Sequence, residues 1–106
     1  MMRQILALGL AVLFAGAPAV AQERDAVLGQ GKKLFVEQGC YGCHTVGKMG
    51  TPIGPDLSRM GSKYDESYLL QWLRDPSVQK PTAHMPKIDL TEAEARALAA
   101  YLSSLR

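Results

Sequence analysis

The sequence predicts an all-α domain, and three observations carry the prediction. No stretch alternates apolar and polar residues with the period of two that a half-buried strand requires. Two stretches, Tyr68 to Leu73 and Ala95 to Leu105, repeat their apolar residues at spacings of three and four, which gathers those side chains on one helical face. The segment Cys40-Tyr41-Gly42-Cys43-His44 sets two thiols and an imidazole three and four residues apart. Wound as a helical turn, it puts all three on one side.

The chain opens with a targeting pattern. Arg3 supplies a positive start, Ile5 to Ala15 is a short apolar run, and Ala19-Val20-Ala21 is a small-x-small cleavage site. Residues 1–21 therefore read as a signal peptide and 22–106 as the mature domain, which places the protein in the bacterial periplasm. The apolar run is shorter than the ~20 residues that span a bilayer, and Pro18 closes it, so no stable membrane anchor is expected. No cysteine follows the cleavage site to take a lipid.

A first helix is expected from a cap at Gln22 or Asp25 to about Gln38, with Gly39 ending it. Gly29 and Gly31 weaken it by roughly 1 kcal/mol each, and a glycine kept inside a helix points to close packing against another element. Thr45 to Pro55, rich in glycine and proline, reads as a loop, and a short turn follows at Asp56 to Met60. Asp65 or Ser62 caps the next helix, which shows Tyr68, Leu69, Trp72 and Leu73 on one face and stops at Asp75-Pro76. Ser77 to Asp89 has no usable period and reads as a constrained loop containing His84-Met85-Pro86. Thr91-Glu92-Ala93-Glu94 is a capping box opening the last helix.

The five-residue motif is the attachment signature of a c-type haem. Two thiols three residues apart can bond to the two vinyl groups along one haem edge, and the adjacent imidazole then reaches the iron. Gly42 keeps a large side chain clear of the ring. A redox disulfide needs no following histidine and normally sits in a βαβ setting, which is lacking. A zinc site needs two more ligands, and beyond His44 the chain holds only His84 and no further cysteine. One haem c, bonded through Cys40 and Cys43 and ligated by His44, is the expectation. It also suits the size of the domain, because the stretch from Gln22 to Arg106 makes only a small core by itself.

Low-spin haem iron takes a second axial ligand, and Met49, Met60, Met85 and His84 are the candidates in the mature chain. Met85 is chosen, with His84 as its competitor. Met85 follows His44 at a distance in sequence that lets the chain pass round the ring, and Pro86 limits the freedom of its loop. The formal charge of +2 includes Arg3, which leaves +1 on the mature chain. That is no footing for nucleic-acid binding.

Taken together, Gly31, Phe35, the haem motif, Gly54-Pro55-Asp56-Leu57, the Tyr68–Leu73 helix, Met85-Pro86 and the Leu98–Leu102 helix with Tyr101 resemble a small bacterial class I cytochrome c. The resemblance covers roughly Gly29 to Leu105. It implies the all-α cytochrome c fold, three to four helices wrapped around one haem, with the first and last helices crossing. Gly31 would permit the close approach, and Phe35 and Tyr101 would pack there. It implies that the Pro55 carbonyl accepts a hydrogen bond from the His44 ring, and that Tyr68 or Trp72 faces the haem pocket. Pro52 to Leu57, with Trp72 to Pro76, is also similar to haem domains of membrane respiratory complexes, such as the cytochrome subunit of nitric oxide reductase. Those usually carry a longer anchor.

The expected function is therefore one-electron transfer by a monomeric periplasmic carrier working between respiratory or dehydrogenase partners, and not enzymatic catalysis. With both axial positions filled by protein, the iron keeps no open position. The alternatives are a haem subunit of a membrane respiratory complex, and a gas-binding or peroxidase-type protein with an open sixth position. Lys48, Lys80 and Lys87 flank the segments expected at the exposed haem edge, where they would steer acidic redox partners.

Overall fold

The computed structural model describes residues 17–106. Arg3 and the apolar run from Ile5 to Ala15 lie outside the described residues. Three main helices carry the fold: α1 (Ala17–Glu37), α3 (Glu66–Arg74) and α5 (Glu92–Ser103). Two single-turn helices, α2 (Met60–Lys63) and α4 (Pro76–Gln79), brace the turns on either side of α3. The core is where α1 and α3 both pack on α5.

Helix α1 is already helical at Ala17, ahead of the cap expected at Gln22 or Asp25. Alanine at positions 17, 19 and 21 favours helix. At the other end Gly39 takes a left-handed φ of 75°, the conformation that ends helices at low steric cost when no Cβ is present.

Helix α5 fits the expectation at its start. Thr91 Oγ1 accepts from the Glu94 amide at 3.1 Å, and Glu94 Oε1 accepts from the Thr91 amide at 2.9 Å. Its middle is buried nearly all round, from Ala95 through Ala97, Leu98, Ala99, Ala100 and Tyr101 to Leu102. The alanines keep the helix thin, so neighbours close in on more than one side. One such close approach is from Gly31. A Cβ there would overlap the Ala97 carbonyl oxygen and lie 2.6 Å from Tyr101 Cβ. Phe35, one turn further along α1, meets Tyr101 edge to face with centroids 5.7 Å apart. Gly29 is different: a Cβ there would meet nothing within 4 Å.

Two other expectations change, and one is narrowed. The loop after His44 holds a minimal antiparallel hairpin, β1 (Thr45–Val46) with β2 (Met49–Gly50), where no strand was expected. Strands this short cannot show a period, and Gly47 at φ 61° takes the left-handed conformation in the turn between them. Helix α3 takes Asp65, not Ser62, as its cap, and Asp65 Oδ1 accepts from the Tyr68 amide at 2.8 Å. Asp75-Pro76 does stop α3, but it also starts α4. Asp75 Oδ1 accepts from the Ser77 amide at 3.1 Å, and proline at the first helical position needs no amide partner.

Two polar clasps join the helices at the surface. Glu66 Oε1 accepts from Arg24 at 3.2 Å and from the Ser103 hydroxyl at 3.3 Å, linking α3 to α1 and α5. Glu92 pairs with Arg74 and with Arg96. All of these charged side chains are exposed, so the ion pairs contribute little to stability.

The two glycines of α1 should answer the same substitution with opposite signs. Gly31→Ala is expected to lower stability by about 2 kcal/mol, on the order of 10 °C in Tm, because backbone must move to admit the methyl. Gly29→Ala should raise stability by about 0.5–1 kcal/mol through helix propensity alone. Thermal melts of the two holoprotein variants decide it, and equal responses would remove the close-packing argument.

Candidate haem-binding site

The site begins where α1 ends. Beyond Gly39 the chain makes a single 3-10 turn, Cys40–Gly42. The Cys40 carbonyl accepts from the amides of Cys43 at 3.2 Å and His44 at 2.9 Å. This is the turn the motif spacing predicts, slightly tighter than an α-helix. Cys40 is half-buried, Cys43 is exposed, and both are free cysteines. Burial pushes the Cys40 thiol above its ordinary range, partly offset by a backbone hydrogen bond. A thioether carries no charge, so a buried position suits that bonded form. Among the described residues, no group of three or more His, Cys, Asp and Glu side chains could hold a metal ion, and the zinc alternative therefore finds no ligand set there.

His44 is held from several directions. Its ring Nδ1 lies 2.8 Å from the Pro55 carbonyl oxygen, the contact implied by the family resemblance. A carbonyl only accepts, so Nδ1 carries the proton, and Nε2 is left with its lone pair free. Gly54 makes the approach possible: a Cβ there would sit 2.7 Å from His44 Cε1 and 3.0 Å from Nδ1. On the other side, Gly50 lets the hairpin close on the His44 carbonyl, which a Cβ would overlap.

The carbonyl that holds His44 is itself braced, and the sequence reading missed how. Asp56 Oδ1 accepts from Thr45 Oγ1 at 2.7 Å and from Ser58 Oγ at 2.8 Å. Ser58 Oγ in turn accepts from the Gly47 amide at 2.7 Å, and the Leu57 amide donates to the Thr45 carbonyl at 2.8 Å. The two limbs of the loop are thus laced together around Pro55. Hydrogen bonds from Thr45 and then Ser58 hold the Asp56 carboxyl below its ordinary value. No periodicity marks such a lattice; the only trace in sequence is polar Thr, Asp and Ser among glycines and prolines.

A cavity of about 620 Å³ opens beside this loop, within the ~300–1,000 Å³ range of small-molecule and cofactor clefts. Phe35, Leu69, Leu98 and Leu102 form apolar wall, and Cys40, His44 and Pro55 stand at its edge. Met85 lines the same cavity, as do Tyr68 and Trp72, the aromatic residues expected there. The structure thus gathers Cys40, His44, Pro55 and Met85 of the residues singled out in the sequence, with Cys43 beside them in the turn. Met60 and His84 also line it, whereas Met49 is 62% exposed and does not. The Trp72 indole Nε1 donates to Met85 Sδ at 3.1 Å, a contact that spacing did not reveal. An apolar slot with a neutral imidazole, a thioether and a half-buried thiol fits a haem bonded at one edge. Cys40 and Cys43 would hold it covalently, and His44 and Met85 bring an imidazole nitrogen and a soft thioether to the same cavity.

Asp56 gives the loop a pH dependence of known sign. A carboxyl whose folded value is depressed contributes stability above its unfolded value, about 3.9, and loses it as pH falls through the folded value. Wild type should therefore melt above Asp56→Ala at pH 7, with the gap closing toward pH 2. A gap that stays constant over that range would show that the carboxylate lattice does not stabilise the loop.

With this geometry in place, the relatives are informative. Residues 29–106 match the family profile Cytochrome c. The chain is 34% identical to cytochrome c oxidase subunit 2 of Alkalihalophilus pseudofirmus over 82% of its own length and 28% of that protein. It is 32% identical to cytochrome c-551 of Bacillus subtilis over 74% of its own length and 64% of that protein. It thus spans less than a third of one relative and just under two thirds of the other. The crystal structure of the c-type cytochrome SorU from Sinorhizobium meliloti superposes with a TM-score of 0.61 at 25% identity, over 76% of this chain and 92% of that one. A helical fold built on the α1–α5 crossing, a Cys40-x-x-Cys43-His44 turn at the edge of an apolar slot, and these likenesses lead to one conclusion: the chain belongs to the cytochrome c family, as a small class I member that binds haem c covalently.

Proposed function

We propose that this protein is an exported, monomeric one-electron carrier in which His44 and Met85 are the axial iron ligands and Cys40 and Cys43 form the thioethers. The observation that carries the reading is that His44 and Met85, far apart in sequence, line one cavity. Bound there, haem c supplies a single Fe(II)/Fe(III) couple.

The residues of the chain set the conditions for that couple. The Met85 thioether is neutral and soft, and favours the ferrous state. The His44 imidazole serves both states, and the Pro55 carbonyl fixes its tautomer and raises its basicity. The apolar wall of Phe35, Leu98 and Leu102 lowers the local dielectric and disfavours the extra positive charge of the ferric state. Two protein donors leave no open coordination position, so the reading is a carrier and not an enzyme.

The signal peptide over 1–21 belongs to the same proposal and supplies the extracytoplasmic location. Cleavage after Ala21 should leave Gln22 as the N-terminal residue of protein recovered from the periplasm. A second reading, a haem module working with a membrane respiratory complex, is favoured by the likeness to an oxidase subunit. The free carrier ranks first because the N-terminal apolar run from Ile5 to Ala15 is shorter than a bilayer span and Pro18 closes it.

Docking is proposed near Lys48, Lys80 and Lys87, which are all exposed. Lys80 lines the haem cavity, Lys48 sits at the tip of the hairpin, and Lys87 follows Met85-Pro86. Such a group of cations would steer acidic redox proteins.

Two measurements test the proposal. Ferric wild-type protein should show the weak methionine–iron band at the red end of the visible spectrum. Met85→Ala should lose the band and bind carbon monoxide when reduced. Five-coordinate, high-spin wild-type protein would instead support a gas-binding or peroxidase-type function. Electron transfer to an acidic partner should slow as salt rises toward about 0.5 M, where exposed charges are screened within a few ångströms; a flat dependence removes the lysine surface.

A further inference from the structure

Besides the two proposed ligands, other side chains able to give a metal a lone pair line the haem cavity, Met60 and His84 among them. Met60 is fixed in place. Its amide donates to the Leu57 carbonyl at 3.1 Å, its carbonyl accepts from the Tyr64 amide at 3.0 Å, and its side chain packs on the core cluster. His84 is held by nothing comparable. It stands at the mouth of the cavity, exposed to solvent and next in sequence to Met85. The last backbone hydrogen bond before α5 runs from the Ala83 amide to the Lys80 carbonyl at 2.9 Å, and among the described residues none joins the backbone from His84 to Leu90. Lys63 and Lys80 also line the cavity, but an ammonium group has no lone pair to give a metal.

We propose that His84 is a reserve axial ligand, which takes the iron when the Met85 sulphur is withdrawn and so keeps the carrier closed to small molecules. The inference rests on the reading of Met85 as the ligand of the resting protein. The exchange asks the chain to shift by one residue, about 3.8 Å along its path. That shift breaks no backbone hydrogen bond in the segment, and segments without such bonds rearrange most readily. Tethered beside the site, the imidazole acts at an effective concentration on the order of millimolar, against which a dilute external ligand must compete. Softness sets the direction: a thioether suits ferrous iron, and the harder ferric ion takes an imidazole nitrogen readily. The occasion for the exchange is oxidation of the thioether. A peroxide transfers one oxygen atom to the Met85 sulphur and leaves as water or an alcohol; the sulphur loses two electrons and the peroxide gains them. Iron left without a sixth donor would bind gases and activate peroxide, which the carrier reading excludes. With His84 in place, its coordination stays full.

Electron paramagnetic resonance and optical spectra of ferric holoproteins at pH 7 test this. Met85→Ala should lack the methionine–iron band yet remain six-coordinate and low-spin, with the signature of two nitrogen donors. Met85→Ala/His84→Ala should be high-spin, and should bind added azide about tenfold more tightly than Met85→Ala, because no tethered imidazole competes. The carbon monoxide binding expected of reduced Met85→Ala stands, since soft ferrous iron favours that ligand over imidazole. High-spin iron in Met85→Ala overturns the inference, and so does a low-spin double variant, in which some other donor would be serving. Absence of the methionine–iron band from wild type instead overturns the ligand reading beneath it. Where Met85→Ala does not accumulate as holoprotein, wild type and His84→Ala are oxidised mildly with chloramine-T, and sulfoxide at Met85 is confirmed by peptide mass. Oxidised wild type should stay low-spin while oxidised His84→Ala turns high-spin; the same spin state in both overturns the inference.

Discussion

Phe35, Leu98 and Leu102 sit where a domain of this size would keep a continuous core, and all three face the haem cavity. Leu57, Leu69 and Leu73 face it as well, so most of the large buried side chains of the core cluster are also its walls. The hydrophobic surface that drives folding and the surface that receives the haem are therefore the same surface. Left unfilled, a cleft of this volume leaves those core side chains facing solvent instead of packed against a partner. The contact between apolar wall and macrocycle is thus the interaction on which the rest of the structure depends. The α1–α5 crossing at Gly31 and the contact of Gly61 with the end of α5 are tightly packed junctions that do not line the cavity.

This arrangement explains why the two proposed ligand positions are held by such different means. The His44 side is local: motif, hairpin and Pro55 all fall in the single stretch from Cys40 to Pro55, and short-range hydrogen bonds suffice to fix the imidazole. The Met85 side arrives from far along the chain after α4, on a segment with almost no backbone partners. Segments of that kind are the first to open locally. A coordinate bond and the Trp72 contact would together restrain it. The chain is thus rigid where the haem is bonded and more adaptable where the thioether arrives.

Much of this was legible in the residues. The motif turn, the capping box at Thr91, the α3 face and the meaning of Gly31 rest on spacing, which helix geometry converts directly into a shared face. Pro55 became visible only through family resemblance, because an isolated carbonyl leaves no mark on sequence. The hairpin at Thr45 was missed because its strands are too short to show a period. Helix α4 was missed because Asp-Pro signals a stop and a start equally well. The Asp56 lattice and the Trp72–Met85 contact are products of tertiary structure, and no one-dimensional pattern encodes them. Gly29 is the converse: by pattern it was as suggestive as Gly31, yet open space surrounds it.

The dependence of fold on cofactor can be measured without reference to redox function. The chain produced in a host that cannot attach haem should be compared with the mature holoprotein by far-ultraviolet circular dichroism during urea unfolding. The account predicts a cooperative transition for the holoprotein and, for the haem-free chain, low helicity with no cooperative transition. A haem-free chain that retains native helicity and unfolds cooperatively would contradict it, since the core would then stand without the macrocycle.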